Sequence, residues 1–393
     1  MIKKISILLS VILLLVVLAP VSSSLAARGI YITESTAEAE FPDNLGFKLS
    51  AESDFPIKDV RLFIYVDRLS YAHVTSEILL DITPDRQVTT EWSWDMRKTG
   101  GMPPGTSLQY WWSILDAGGH TLKTQPVTIR YDDTRFEWNS VQQDGITLYW
   151  YKGDTVFANE LLSAAVDGLD KLYESTGAGI TDPVEIYIYE NSSDLQSAMI
   201  FPQTWTGGVA YPSYNCIAIG IEAANIDWGL RTIVHELTHL VIHRMTYNPY
   251  LDLPVWLDEG LAMYMEGPLT GVFEYYLSQA VENDTLISVR SLASPFSAYA
   301  DQSYLSYAQS HSLVSMLIDT YGPEKMLELL TVMSRGVDYD EALEKVYGFN
   351  MDGLDGIWRD YVNVKYLDKV NASVTGNGRP PAEPALILTS ESL

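Results

Sequence analysis

The chain has 393 residues, of which 47% are hydrophobic and 19% charged, a composition typical of a folded protein large enough for two domains. Its 51 acidic residues against 25 basic ones give a formal net charge of −26, which argues against nucleic acid or an anionic membrane surface as its main partner. Cys216 is the only cysteine, so an intramolecular disulfide is excluded, and we expect its thiol in the core rather than as a nucleophile.

Residues 1–26 have the features of an export signal. A lysine pair precedes an apolar run over residues 5–18, and small residues stand at Ser24 and Ala26, where a signal peptidase would cleave. The run is short for a membrane-spanning helix, which needs about 20 apolar residues. The segment therefore predicts a secreted, extracellular protein, with an uncleaved membrane anchor and cell-surface association as the alternative.

Residues 28–132 are predicted to form an all-β domain, an immunoglobulin-like or fibronectin-like sandwich. Short β-type segments separated by Gly and Pro turns carry this prediction, and they lie at residues 47–51, 60–66, 87–94, 108–114 and 127–131. Trp92, Trp94, Trp111 and Trp112 are expected to fill or border the core, with an aromatic carbohydrate platform as the alternative. We expect this domain to place or support the rest of the chain.

Residues 138–368 are predicted to form an α+β domain with a helical C-terminal lobe, joined to the first domain through residues 131–138. Strand patterns at 146–151, 183–189, 207–210 and 216–221, with a helix at 157–175, precede helices at 273–282, 298–321, 323–334, 338–347 and 352–366. From residue 371 the composition shifts to Gly, Pro, Ser and Ala, which predicts a disordered tail over 371–393.

A metal site is predicted on a further helix, between residues 230 and 245. His235 and His239 are four residues apart, so both imidazoles point from one helix face, which is the geometry that two zinc ligands need. Glu236 is the next residue and could take a proton from water on the metal. His243 lies about 12 Å along the helix axis from His235, too far to ligate the same ion.

Glu259 is the better third ligand. It follows His239 after nineteen residues and belongs to a second apolar-periodic segment that begins after Pro254. Two histidines and one glutamate leave a fourth zinc position open for water, which a catalytic site requires.

The pattern His235-Glu236-x-x-His239, nineteen residues and Glu259 within Trp-Leu-Asp-Glu-Gly-Leu-Ala resembles the gluzincin zinc metallopeptidases of the peptidase MA-like family. The spacing is similar to that of thermolysin, and the second motif is similar to the aminopeptidase N-like branch. The resemblance runs from about residue 207 to 358. It implies a thermolysin-like catalytic domain, Zn²⁺ as cofactor, a peptide or protein substrate and hydrolysis of peptide bonds with Glu236 as the base.

In the gluzincins that this chain resembles, an edge strand beside the metal helix binds the extended substrate. The resemblance assigns this role to Gly208, Val209, Ala210 and Tyr211, although Gly207 and Gly208 would also suit a simple turn. The aminopeptidase branch carries a G-x-M-E-N motif here, whose Glu holds the substrate amine. This segment lacks that Glu, so endopeptidase action is slightly favoured.

The resemblance also implies a Tyr or His on the helical lobe that donates to the oxyanion. Tyr307 is the best match, with Tyr304 and His311 as alternatives. The alternative is a cell-surface binding or adhesion protein with a non-catalytic zinc site. In that case the β-domain would bind the partner.

Overall fold

The computed structural model describes residues 29–203, 206–269, 271–297 and 300–373. The predicted export signal and the part of the predicted tail from residue 374 onward lie outside these residues. Within the described ranges the chain forms a β-module, then a five-stranded sheet with helices on one face, then a helical lobe. None of the helices in these ranges is long and apolar enough to cross a membrane.

The β-module consists of seven antiparallel strands centred on one long strand, β2. The strands are β1 (Ile30–Glu40), β2 (Asn44–Val66), β3 (Thr75–Leu79), β4 (Asp85–Asp95), β5 (Thr106–Asp116), β6 (Thr121–Lys123) and β7 (Val127–Tyr131). The first half of β2 pairs with β1 and β4, and the second half pairs with β3 and β5.

The sequence predicted two strands, at 47–51 and 60–66, where the structure has the single 23-residue strand β2. Pro56, which lacks the N–H that a strand ladder uses, lies between the two predicted strands. The pairings of β2 with β4 and β5 do shift register around Pro56, so the irregularity is absorbed as a bulge and the strand continues.

The two halves of β2 face each other across a shared core. Phe47 in the first half meets Tyr110 of β5 edge-on at 5.2 Å between ring centroids. Trp112 is buried in this core and donates its indole N–H to Ser35 on β1. All seven strands nevertheless belong to one hydrogen-bonded sheet, so an immunoglobulin-like topology is not confirmed.

The predicted tryptophans divide between the two sides of the β-module. Trp92 and Trp94 pack at the border of the core that holds Trp112. Trp111 points to the other face of β5, where its ring stacks on Phe63 with an interplanar angle of 2°.

The second sheet has the strand order β11-β12-β10-β9-β8, with β9, β10 and β12 parallel and the two outer strands antiparallel. Its elements are β8 (Asn139–Gln143), β9 (Ile146–Trp150), α1 (Thr155–Thr176), β10 (Val184–Tyr189), α2 (Ser192–Ser197), β11 (Gly208–Tyr211) and β12 (Cys216–Gly220). Asp154 caps the start of α1 through its side chain, and Gly177 ends the helix in the left-handed conformation.

Both faces of this sheet are buried. Ile186 and Ile188 of β10 face the core under the helices, whereas Tyr187 and Tyr189 belong to the core of the β-module. Cys216 lies in this second core and is buried, as expected. The β-module is therefore packed against the back of the sheet, and the alternation along β10 serves two different cores.

Polar contacts join the β-module to the sheet along the same boundary. Arg130 of β7 donates to both carboxylate oxygens of Glu185 at 3.1 Å and to the hydroxyl of Tyr187 at 3.0 Å. The hydroxyl of Tyr189 donates to Asp133, whose side chain is buried. The predicted junction at 131–138 thus contributes to the packed interface.

The helical lobe packs around a buried helix, α7. The remaining helices are α3 (Ile226–Met245), α4 (Val255–Glu266), α5 (Gly271–Glu282), α6 (Val289–Leu292), α7 (Ala300–Tyr321), α8 (Pro323–Met333), α9 (Tyr339–Tyr347) and α10 (Met351–Ser373). α4 crosses α7 at Gly260, where a Cβ would lie 2.5 Å from the carbonyl oxygen of Ser310. The tail was predicted to start at 371, but α10 extends to Ser373.

Candidate metal centre

Two helices bring the predicted ligands together. α3 carries His235, Glu236 and His239, and α4, which begins directly after Pro254, carries Glu259. α3 lies close to its neighbours because small residues face it: Gly168 of α1 meets Val234, with an ideal Cβ position 3.0 Å from the valine side chain. This packing fixes the helix face that carries the two histidines.

The three predicted ligands form a compact buried cluster. The Nε2 atoms of His235 and His239 lie 3.1 Å apart, and each lies 3.5 Å from Oε2 of Glu259. His235 is fully buried, and Glu259 is 5% exposed. Two imidazole nitrogens and a carboxylate oxygen converging on one point form a donor set that suits Zn²⁺.

Each histidine is held from behind by a carboxylate. His235 Nδ1 lies 2.6 Å from Oε1 of Glu266, and His239 Nδ1 lies 2.8 Å from Oδ1 of Asp258. These contacts place the ring proton on Nδ1 and leave the lone pair of Nε2 facing the cluster. Sequence reasoning missed both partners, although Asp258 adjoins Glu259 and Glu266 follows it by two helical turns.

The electrostatics of the cluster favour a cation. Burial would lower the pKa of His235, but the hydrogen bonds to Glu259 and Glu266 outweigh it and raise that pKa. Burial would raise the pKa of Glu259, yet the imidazoles of His239 and His235 lower it. Positive charge is thus stabilised where the three ligand atoms meet, so the residues present fit a divalent metal ion.

Glu236 has no hydrogen-bond partner for either carboxylate oxygen among the described residues, and both oxygens are buried. Burial raises the pKa of this carboxyl group to about 7. Such a group is costly to bury for stability alone, so its place beside three side chains that could hold a metal ion indicates a catalytic role.

The predicted substrate strand passes directly over Glu236. β11 is an outer strand of the described sheet, and an ideal Cβ on its first residue, Gly208, would lie 2.6 Å from Oε1 of Glu236. Val209 and Ala210 are buried, and Tyr211 at the end of the strand is half-buried. The glycine therefore allows close approach between strand and carboxylate.

The three candidate oxyanion donors on α7 occupy different places. The hydroxyl of Tyr307 lies 3.5 Å from Oε1 of Glu259, and its ring packs edge-on against Phe296. The ring of Tyr304 stacks on Tyr276 of α5. His311 Nε2 lies 2.9 Å from the carbonyl oxygen of Gly267, at the end of α4. Tyr307 thus contacts a predicted ligand directly.

His243 is next to Asp258 and one turn beyond His239. Its Nε2 lies 3.0 Å from Oδ2 of Asp258, and its side chain is 18% exposed. His243 does not belong to the group of ligand atoms formed by His235, His239 and Glu259.

Comparison with known proteins places this site in a family. The family model described as "Peptidase MA superfamily" matches residues 164–364, just over half of the chain, and this range contains both helices that carry the predicted ligands. Comparison with curated protein sequences found no match.

Solved structures with some similarity include two aminopeptidases and a third protein. They are Legionella pneumophila aminopeptidase A (11% identity, TM-score 0.37, 84% of this chain and 49% of that chain), the aminopeptidase N family protein from Idiomarina loihiensis (13%, TM-score 0.36, 87% and 75%) and OgpA from Akkermansia muciniphila (10%, TM-score 0.22, 29% and 31%). The chain thus spans about a third of the length of OgpA and half of that of the Legionella enzyme.

Proposed function

The chain belongs to the Peptidase MA superfamily, and we propose that it is a zinc-dependent metallopeptidase whose metal is held by His235, His239 and Glu259. The observation that carries this proposal is the buried carboxylate of Glu236, which lies beside the ligand cluster and against an outer strand. Zinc bound there would act as a Lewis acid on the peptide carbonyl and would increase the acidity of water.

Glu236 is the general base and then the general acid of this reaction. It accepts a proton from the attacking water while the water oxygen bonds to the carbonyl carbon, and it gives that proton to the amine nitrogen as the C–N bond breaks. Burial raises the pKa of this carboxyl group above its usual value, which favours its uptake of the proton.

Tyr307 supplies a hydrogen bond to the carbonyl oxygen as negative charge develops on it. Burial and the carboxylates of Glu259 and Glu236 raise its pKa well above the usual range, so the hydroxyl stays protonated and can donate. Gly208, Val209, Ala210 and Tyr211 would pair with an extended substrate backbone by strand addition, since β11 is an outer strand of the described sheet.

The substrate we propose is a peptide or protein cleaved internally. In the aminopeptidase branch that this chain resembles, a Glu in the corresponding segment holds the substrate amine, whereas residues 207–211 here are Gly, Gly, Val, Ala and Tyr. The signal-like pattern at 1–26 supports action outside the cell, on secreted or surface proteins.

Glu236→Gln tests the proposal because it keeps the size of the side chain and removes its basicity. The wild type and the Glu236→Gln variant should each bind one zinc ion, and the zinc-loaded wild type should cleave peptides in a diverse library. The variant should lose about 10²- to 10⁴-fold in kcat. A wild type that binds zinc and cleaves nothing would favour the alternative, a surface binding protein with a structural metal.

A further inference from the structure

The carboxylate of Asp258 lies between two histidine rings of α3. Its Oδ1 is 2.8 Å from Nδ1 of His239, and its Oδ2 is 3.0 Å from Nε2 of His243. Because His239 and His243 are four residues apart, both rings point from the same helix face toward the start of α4. A chain of polar contacts therefore leads from the ligand cluster out to a ring that is partly exposed.

The direct contact with His239 determines how that ring can bind a metal. Its Nε2 faces Glu259 at 3.5 Å, so its proton must be on Nδ1, where Asp258 accepts it. A carboxylate held at only one oxygen can rotate about its Cβ–Cγ bond. His243 Nε2 lies 3.0 Å from the second oxygen, within ion-pair distance, and this charge contact opposes rotation of the carboxylate away from His239.

We propose that His243 is a positioning residue of the metal centre: it holds Asp258, and Asp258 fixes the ring plane and tautomer of His239. His243 touches neither the metal nor the substrate in this role. The inference rests on the proposed zinc site. It adds to that site one residue, His243, that is not among the three proposed ligands.

The same three side chains also form a group that a second cation could occupy. The 2.8 Å separation between His239 Nδ1 and Asp258 Oδ1 is that of a direct hydrogen bond to a charged acceptor, which supports the positioning role. Zinc stoichiometry distinguishes the two arrangements, since positioning requires one ion per chain.

The test measures zinc affinity by competition with a chromophoric chelator for the full chain, His243→Leu and His243→Gln. Removing a hydrogen-bond partner of a metal ligand costs about 10- to 100-fold in metal affinity, and His243 acts one step further away, so we expect about a threefold to tenfold loss for His243→Leu. His243→Gln keeps an N–H that can reach Asp258 and should restore most of the affinity. The visible spectrum of the Co²⁺-loaded protein should change in the leucine variant alone.

A double-mutant cycle tests the route of the effect. If His243 acts through Asp258, its loss should cost almost nothing further in an Asp258→Asn background. Arg244→Leu is the matched control, because its guanidinium binds Pro212 and Asp182 away from the metal centre, and its zinc affinity should equal that of the wild type.

Three results would overturn the inference: unchanged zinc affinity in both His243 variants, an equal loss with and without Asp258, or two zinc ions of which one disappears in His243→Leu. A wild-type chain that binds no zinc would instead overturn the proposed function, so the two failures are distinguishable.

Discussion

Gly208 and Glu236 are in contact at a position that has no room for a side chain. An ideal Cβ on Gly208 would lie 2.6 Å from Oε1, 3.0 Å from Cδ and 3.1 Å from Cγ of Glu236. The strand proposed to bind substrate and the carboxylate proposed to move the proton are therefore set against each other directly, and the position of each depends on the other.

Gly208→Ala should reduce activity with little effect on stability. The added methyl group collides with the end of a flexible side chain, so Glu236 can turn away at small energetic cost, but its carboxylate then leaves the reacting atoms. We expect kcat to fall by about 10²-fold, with the melting temperature and zinc content close to those of the wild type. A fully active alanine variant would show that Glu236 does not act from this position.

Gly207→Ala provides the matched control on the neighbouring residue. Its Cβ would lie 3.2 Å from the ring of Trp228 and away from the carboxylate. A loss of kcat equal to that of Gly208→Ala would mean that the strand itself, rather than its contact with Glu236, determines the effect.

Glu259→Ala should abolish stable zinc binding, because it removes one of three ligands and leaves two buried imidazoles without their carboxylate. In the wild type, a chelator should lower the melting temperature, since a ligand present at 100 times its Kd stabilises the folded state by about 2.7 kcal/mol. The variant should show no such shift. Equal zinc content in the wild type and the variant would show that Glu259 is not the third zinc ligand.

Tyr307→Phe should lower kcat by about 10²- to 10³-fold and leave KM and zinc content nearly unchanged, as expected for a donor used only in the transition state. Tyr304→Phe is the control, because its ring stacks on Tyr276 in the packing between α5 and α7. Steady-state kinetics of both variants on the same peptide compares their losses in kcat. A larger loss for Tyr304→Phe would transfer the proposed role to that residue.

The ligand cluster was predictable from sequence because it depends on local geometry. The four-residue spacing of His235 and His239 places both side chains on the same face of a helix. Pro254 marks the start of the helix that carries Glu259. The carboxylates behind the histidines were not found, since pairing Glu266 with His235 requires knowledge of how α3 and α4 cross. The contact between Gly208 and Glu236 depends in the same way on where the sheet meets α3.

The β-module shows a different limit of sequence reasoning. Strand positions followed from alternation and turns, but the sequence predicted two strands where β2 is continuous, because a sequence pattern does not reveal a bulge within a longer strand. Tyr187 and Tyr189 suggested only a buried strand. The side chains of β10 pack into two different cores because the β-module covers the second face of the sheet, and the sequence of β10 does not indicate this packing.

Asp116 links stability to pH in the β-module. Burial would raise its pKa, but hydrogen bonds from Ser53 and His120 outweigh burial and lower the pKa to about 2. A carboxyl group with a pKa below its unfolded value of about 3.9 stabilises the fold above that pH, and this contribution disappears as the pH falls toward 2.

Asp116→Asn should therefore unfold at lower urea concentration than the wild type at pH 7, and the two midpoints should converge between about pH 4 and pH 2. Urea titrations followed by tryptophan fluorescence across this range measure the difference. A constant difference at every pH would show that the variant acts through packing rather than through the charge of the carboxylate.

Removal of residues 29–132 should leave a chain that does not fold as a soluble monomer. The β-module covers the face of the sheet that carries Tyr187, Tyr189, Cys216 and Ala218, and Arg130 adds hydrogen bonds to Glu185 across the same boundary. Uncovering this face would expose a contiguous apolar surface beside an outer strand, a combination that promotes aggregation.

Size-exclusion chromatography, dye binding to exposed apolar surface and zinc content of the shortened chain test this prediction. We expect aggregates, strong dye binding and little bound zinc, because α3 packs on the opposite face of the same sheet. Arg130→Ala in the full chain is the milder control. It removes the polar contacts and keeps the apolar cover, so it should stay monomeric and bind zinc. A shortened chain that is monomeric, unfolds cooperatively and binds zinc would show that the rest of the chain folds without the β-module.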